Sequence, residues 1–164
     1  MRKSLLAGLL CLLCAVALST AFVVAAHAEP GLQSKLTAIA GQGTGHVDLS
    51  PTADDQHNTA FIAQGTAEIH DALADTTYAV QRSGDGVPDG VCAISPNPLV
   101  GWLTLTTITT SAGGAGAGHF TRMVGPNPKG LQFDIVFRVV KLNGDGTLDL
   151  SQVLMSDCIT VTVK

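Results

Sequence analysis

From Phe61 to His70 the side chains alternate with a period of two. Phe61, Ala63, Gly65, Ala67 and Ile69 fall on one face, and Gln64, Thr66, Glu68 and His70, with Ile62 among them, fall on the other. In a helix these residues would scatter around the axis. In an extended chain they form one apolar and one polar surface. Residues 131–140 repeat the pattern: Leu131, Phe133, Ile135, Phe137 and Val139 against Gln132, Asp134, Val136, Arg138 and Val140. The second face turns apolar towards its end, which predicts cover from both sides there. Shorter runs rich in strand formers occupy 32–40, 46–49, 78–82, 91–95, 102–110, 119–124 and 159–163, separated by glycine-rich turns. Pro51, Pro88, Pro96, Pro98, Pro126 and Pro128 fall between the main runs, where a sheet tolerates them. A weak cap signal, Thr52 with Asp55, allows one short helix in the polar stretch 50–58. This pattern predicts an all-β antiparallel sandwich of about 7–9 strands in one domain spanning residues 29–164.

The first 28 residues read differently. Arg2 and Lys3 precede an almost wholly apolar run to Ala26, and Ala26 and Ala28 place small residues at −3 and −1 of a signal-peptidase site before Glu29. Residues 1–28 are expected to be a signal peptide cleaved between Ala28 and Glu29. The run also has the length for an uncleaved membrane anchor, since about 18 apolar residues can span a bilayer. Cys11 and Cys14 follow Leu10 and Leu13, not the small residue that lipidation needs. Cleavage removes two bases and no acid, leaving seven Lys and Arg against thirteen Asp and Glu, a net charge of −6. Such a balance supplies no footprint for nucleic acid and no polybasic cluster for anionic lipid. No membrane insertion is expected after cleavage.

Two cysteines remain, Cys92 and Cys158. Export favours a disulfide between them, and the alternative is two buried thiols. In the chain-entropy model a bridge closing so long a loop stabilises by about 4 kcal/mol. Two cysteines do not make a structural zinc site, which takes four ligands.

Thr76 and Tyr78 stand at a corner between two predicted strands. The corner resembles that of fibronectin type III and immunoglobulin-like domains, whose pattern Leu-x-Pro-x-Thr-x-Tyr falls here on Ala72, Ala74, Thr76 and Tyr78. The Thr and Tyr match, the Leu lies one place on at Leu73, and Ala74 stands for Pro. The resemblance implies an immunoglobulin-like sandwich in which the tyrosine hydroxyl turns back onto nearby backbone. The mature chain is also similar to secreted bacterial β-sandwich proteins that carry a Thr-Tyr-x-Val corner, here Thr77-Tyr78-Ala79-Val80. They share an Asp-Gly-x-Cys loop, here Asp89-Gly90-Val91-Cys92, and a closing strand like Ser156-Asp157-Cys158-Ile159-Thr160-Val161. That resemblance implies fold and export and carries no activity.

Two loops have partial calcium patterns. Asn143, Asp145 and Asp149 fit positions three, five and nine of an EF-hand loop, but Lys141 and Gln152 occupy positions one and twelve, where carboxylates belong. Asp85 and Asp89 resemble a thrombospondin-type loop whose earlier acidic positions hold Gln81 and Ser83. Tight turns account for both loops, and no cofactor is expected. His46, His57, His70 and His119 show no paired-ligand spacing. There is no Gly-x-Ser-x-Gly elbow, no His-Glu-x-x-His and no nucleotide loop. Trp102 offers either a sugar-stacking face or a packing contact.

The expected function is therefore a secreted, non-catalytic binding or adhesion module whose partner is a protein or glycan at the cell surface. A structural envelope domain is the second reading. A small hydrolase assembled from distant loops, for instance around His70 and Asp71, is the third. Non-reducing mass spectrometry of secreted protein should find a chain starting at Glu29 with no alkylatable thiol. Two alkylatable cysteines would refute the bridge, and a mass retaining residues 1–28 would refute cleavage.

Overall fold

The computed structural model describes residues 31–53, 61–93, 101–124 and 130–163. These segments hold β1 (Leu32–Ala40), β2 (Thr44–Ala53), β3 (Phe61–His70), β4 (Thr77–Asp85), β5 (Leu103–Thr109), β6 (Gly116–Val124), β7 (Gln132–Leu142), β8 (Leu148–Ser156) and β9 (Ile159–Thr162). All pairings are antiparallel, in the order β5-β4-β7-β8-β1-β2-β3-β6. β8 and β9 pair with successive stretches of the same edge of β7. Asp157 and Cys158 lie between the two strands, outside both, and the register advances by one residue across them, so Cys158 does not share the parity of Ile159, Val161 and Val163.

The two ends of this order meet. β5 and β6 are joined by a hairpin and lie against each other, which brings the sheet nearly to closure as a barrel. Ser111 N donates to Ala115 O at 2.8 Å in the connecting turn. The seam needs glycine on one side: a Cβ on Gly118 would stand 2.9 Å from both Ile108 Cγ1 and Thr107 O. β4, β5 and β6 follow in sequence while β3 lies beside β6 and β7 beside β4, so the strands overlap as Greek keys.

This corrects the two-sheet sandwich expected from the sequence, because the described strands form one sheet. Alternation does not separate the two architectures, since each buries one face of every strand. Three local expectations also change. Residues 91–93 are irregular, and 94–95 lie outside the described residues. Thr52 belongs to β2, opposite Ile62, and the rest of that stretch from 54 lies outside the described residues. β8 was not anticipated. Its register against β7 shifts between Val140 and Lys141, which breaks the alternation of Leu148, Leu150 and Val153 that would have marked it.

The inward residues form a single core that includes Leu36, Val47, Ile69, Val80, Phe137, Val139 and Leu154. β7 is buried on both faces from Asp134 to Val140. The described parts of the β4–β5 connection, 86–93 and 101–102, contact its outer face. Gly90 N donates to Asp134 Oδ2 at 2.6 Å, and Trp102 lies over the Arg138 guanidinium, 4.1 Å from ring centroid to Cζ. Cys92 and Cys158 form a disulfide across a Cα separation of 5.5 Å and clamp this strap beside β9.

The turn before β4 closes one end of the barrel. Asp71 and Asp75 adopt positive φ of 55° and 47°, a conformation Asp tolerates better than most residues. Leu73 N donates to Tyr78 Oη at 3.1 Å, while the Tyr78 ring is fully buried. Thr110 ties this turn to the β5–β6 hairpin: its hydroxyl donates to Leu73 O at 2.6 Å, and Ala72 N donates to Gly114 O at 3.1 Å. Tyr78→Phe keeps the ring and strands the Leu73 amide. We expect a loss of about 1–2 kcal/mol in urea unfolding with an unchanged m-value. An unaltered midpoint would show that the hydroxyl contributes nothing to the corner.

Candidate functional site

The site is at the opposite end from Tyr78, and strand parity builds it. On β4, Tyr78 and Val80 point into the core, and the next inward position is Arg82. On β6, Phe120 points inward, and two residues later comes Arg122. At these places the apolar series gives way to arginine just as the strands reach the end of the barrel. A cavity of about 260 Å³ opens there, walled by β2 to β7 and the start of the 86–93 loop. Leu49, Ala63, Leu105, Phe133 and Ile135 are among its apolar lining, with Phe120 and Phe137 ring centroids 6.5 Å apart.

Glycines give this end its room. A Cβ on Gly65 would collide with the Phe120 ring, so the bare β3 backbone lets that ring lie across the interior. A Cβ on Gly84 would stand 3.2 Å from Arg82 Nη1, so its absence leaves space for the guanidinium.

Arg82 is half-buried and Arg122 exposed. Burial, and secondarily the charge of Arg122, hold the Arg82 pKa below the usual arginine value. A guanidinium nevertheless stays protonated at physiological pH. Among the described residues no carboxylate lies within ion-pair distance of either arginine. Asp85 borders the cavity, but its carboxylate accepts Val87 N at 3.1 Å and Ala93 N at 2.9 Å, which hold its pKa below the ordinary value. The cavity thus offers apolar walls and two cationic donors. Its described lining contains no Ser, Thr, Cys or His.

The residues singled out by sequence lie elsewhere or serve structure. Asp85 and Asp89 close turns, Asp89 accepting Val91 N at 2.8 Å. Asn143 donates to Thr147 Oγ1 at 3.0 Å, and Asp145 accepts the Thr147 amide at 2.9 Å. Asp149 is held by Lys141 Nζ at 2.9 Å, so the cation at the first loop position neutralises a would-be calcium ligand. Among the described residues no group of three or more His, Cys, Asp and Glu is placed to hold a metal. His46 lies 3.2 Å from Asp48 and 3.9 Å from Glu68, and His119 Nδ1 lies 2.8 Å from Thr66 Oγ1. His70 is exposed at the end of β3 beside Asp71. His57, the cleavage site at Ala28 and Glu29, and the Phe61 side chain lie outside the described residues. Trp102 makes a packing contact with Arg138, whose Nε donates to Gln81 Oε1 at 2.8 Å.

Sequence reading missed Arg82 and Arg122. The available signal was parity: each arginine extends an inward series, Tyr78-x-Val80-x-Arg82 and Phe120-x-Arg122. No protein-family model matches this chain, and no curated protein is significantly similar to it. Among the described residues no helix is long and apolar enough to cross a membrane.

Hydrogen bonds from Ser151 and Lys141 lower the Asp149 pKa to about 2. An unfolded Asp titrates near 3.9. The folded pKa is the depressed one, so the stabilisation is full above about pH 4 and is lost as pH falls towards about 2. Asp149→Asn should flatten the fall of stability across that interval in urea titrations. Parallel curves for variant and wild type would refute the assignment.

Proposed function

We propose that this chain is an exported, non-catalytic binding domain whose ligand enters the open end of the barrel. The observation that carries this reading is the apolar cavity bounded by inward side chains of β2 to β7. Mouths of β-barrels commonly take small ligands, and an apolar pocket with a few convergent polar groups is the usual form of such a site. About 260 Å³ exceeds the roughly 150 Å³ cavity that holds benzene in an engineered core and suits a small ligand. A described lining without Ser, Thr, Cys or His supports binding over hydrolysis, because among the described residues it pairs no nucleophile with a base. The engagement of Trp102 by Arg138 weakens the glycan reading. The disulfide and the apolar leader are compatible with export.

The immunoglobulin-like affinity rests on the Tyr78 corner and the Greek-key order, within a sheet that has nearly closed. A small neutral aromatic fluorophore should bind the mature protein saturably and raise its melting temperature by mass action. Ala63→Phe, which fills the cavity from β3, should weaken that binding at least about tenfold while the far-ultraviolet circular dichroism stays unchanged. Absence of saturable binding to the wild type would favour a purely structural envelope role.

A further inference from the structure

We infer that the ligand is a small amphipathic anion, its apolar body held among Leu105, Phe120 and Phe137 and its carboxylate or phosphate held by Arg82 and Arg122. This inference rests on the cavity being the binding site and adds the chemical class of what fills it.

Three observations lead to it. The first is register. A strand position facing the interior is usually apolar, because burying a charge without a partner is costly. Arg82 shares the parity of the fully buried Tyr78 and Val80, and Arg122 that of the buried Phe120. Both arginines border the same cavity.

The second observation is the charge balance. Two like charges meet at the mouth with no described carboxylate in ion-pair range. Asp85, the only acid on the described lining, gives its oxygens to the Val87 and Ala93 amides. The chain is acidic overall, so this local excess of positive charge is not a general property of its surface. Burial and mutual repulsion act together on Arg82. A bound anion offsets the repulsion and supplies the counter-charge that burial calls for, and paired guanidinium groups match the geometry of carboxylate and phosphate oxygens.

The third observation is the lining itself. Away from the arginines it is dominated by aliphatic and aromatic carbon, which gives a free inorganic anion nothing to contact. A purely apolar ligand, in turn, would bury Arg82 further without a counter-charge. Only a molecule with both parts satisfies both halves of the cavity.

The test is isothermal titration of the mature, oxidised protein with octanoate, octyl phosphate and octan-1-ol. Each is kept below its micellar concentration, and acetate and inorganic phosphate serve as headgroup-only probes. Octanoate or octyl phosphate should bind at least about tenfold more tightly than the alcohol, as expected for a charge-assisted contact. The preference should shrink with added salt. The better of the two anions identifies the headgroup.

Arg82→Gln and Arg122→Gln should each collapse the ratio of anion to alcohol affinity. Arg122 is exposed, so its variant keeps the test available should Arg82→Gln fail to fold. Equal affinity for octanoate, octyl phosphate and octanol overturns the anionic class and leaves the cavity as a binding site. Acetate or phosphate binding as tightly as the amphiphiles overturns the apolar half. No binding of any octyl compound overturns the cavity reading itself.

Discussion

Double-sided burial of β7 is the constraint on which the rest of the molecule depends. β7 is paired to β4 along one edge and to β8 and β9 along the other. Phe133, Ile135, Phe137 and Val139 face the interior. Asp134, Val136, Arg138 and Val140 face outward and are buried as well. An outward face carrying Asp134 and Arg138 is stable away from water only if both are supplied with partners. Gly90 N and Thr160 Oγ1 donate to the Asp134 carboxylate, each at 2.6 Å. Gln81 and the Trp102 ring receive Arg138, whose Nη2 has no hydrogen-bond partner. Gly90 and Trp102 both belong to the connection that the disulfide clamps. The bridge therefore does more than shorten the unfolded ensemble. It holds in place the cover that makes a polar outer face on β7 tolerable.

The two ends of the barrel are built by opposite means. At one end, Tyr78, Ala72 and the Thr110 hydroxyl fill the space and satisfy the backbone of the turn. At the other, the inward series passes from Phe137 and Phe120 to Arg82 and Arg122, and the described residues surround a cavity. A nearly closed sheet makes this asymmetry available. Its walls are held by ladders on almost every side, so a gap at one end does not require the wall strands to separate. The seam between β5 and β6 gains its close approach from Gly116 and Gly118 instead of from a continuous ladder.

The strands in which alternation is uninterrupted were legible in the sequence. β3 was found with its faces assigned, because nothing in its pairing to β2 or β6 shifts register. β8 was not, because the shift opposite Lys141 changes which of its residues face the core partway along. The pairing of Cys92 with Cys158 followed from the expectation of export and from there being two cysteines after the expected leader. The acidic loops drew attention as calcium candidates. Their carboxylates are instead taken up by amides, hydroxyls and Lys141 within a few residues, chemistry that a spacing rule for metal ligands does not register.

By itself the sequence determined the class of the fold. A period of two marks extended chain wherever it occurs, and proline and glycine mark where it stops, both being local properties of the backbone. Tertiary structure alone decided that the strands join in one nearly closed, barrel-like sheet. It also decided which end holds a cavity and that two arginines 40 positions apart share it. Those outcomes depend on which strand edges meet. An alternating strand presents the same inward face in a sandwich and in a barrel, so its sequence carries no record of the neighbour that its edge will find.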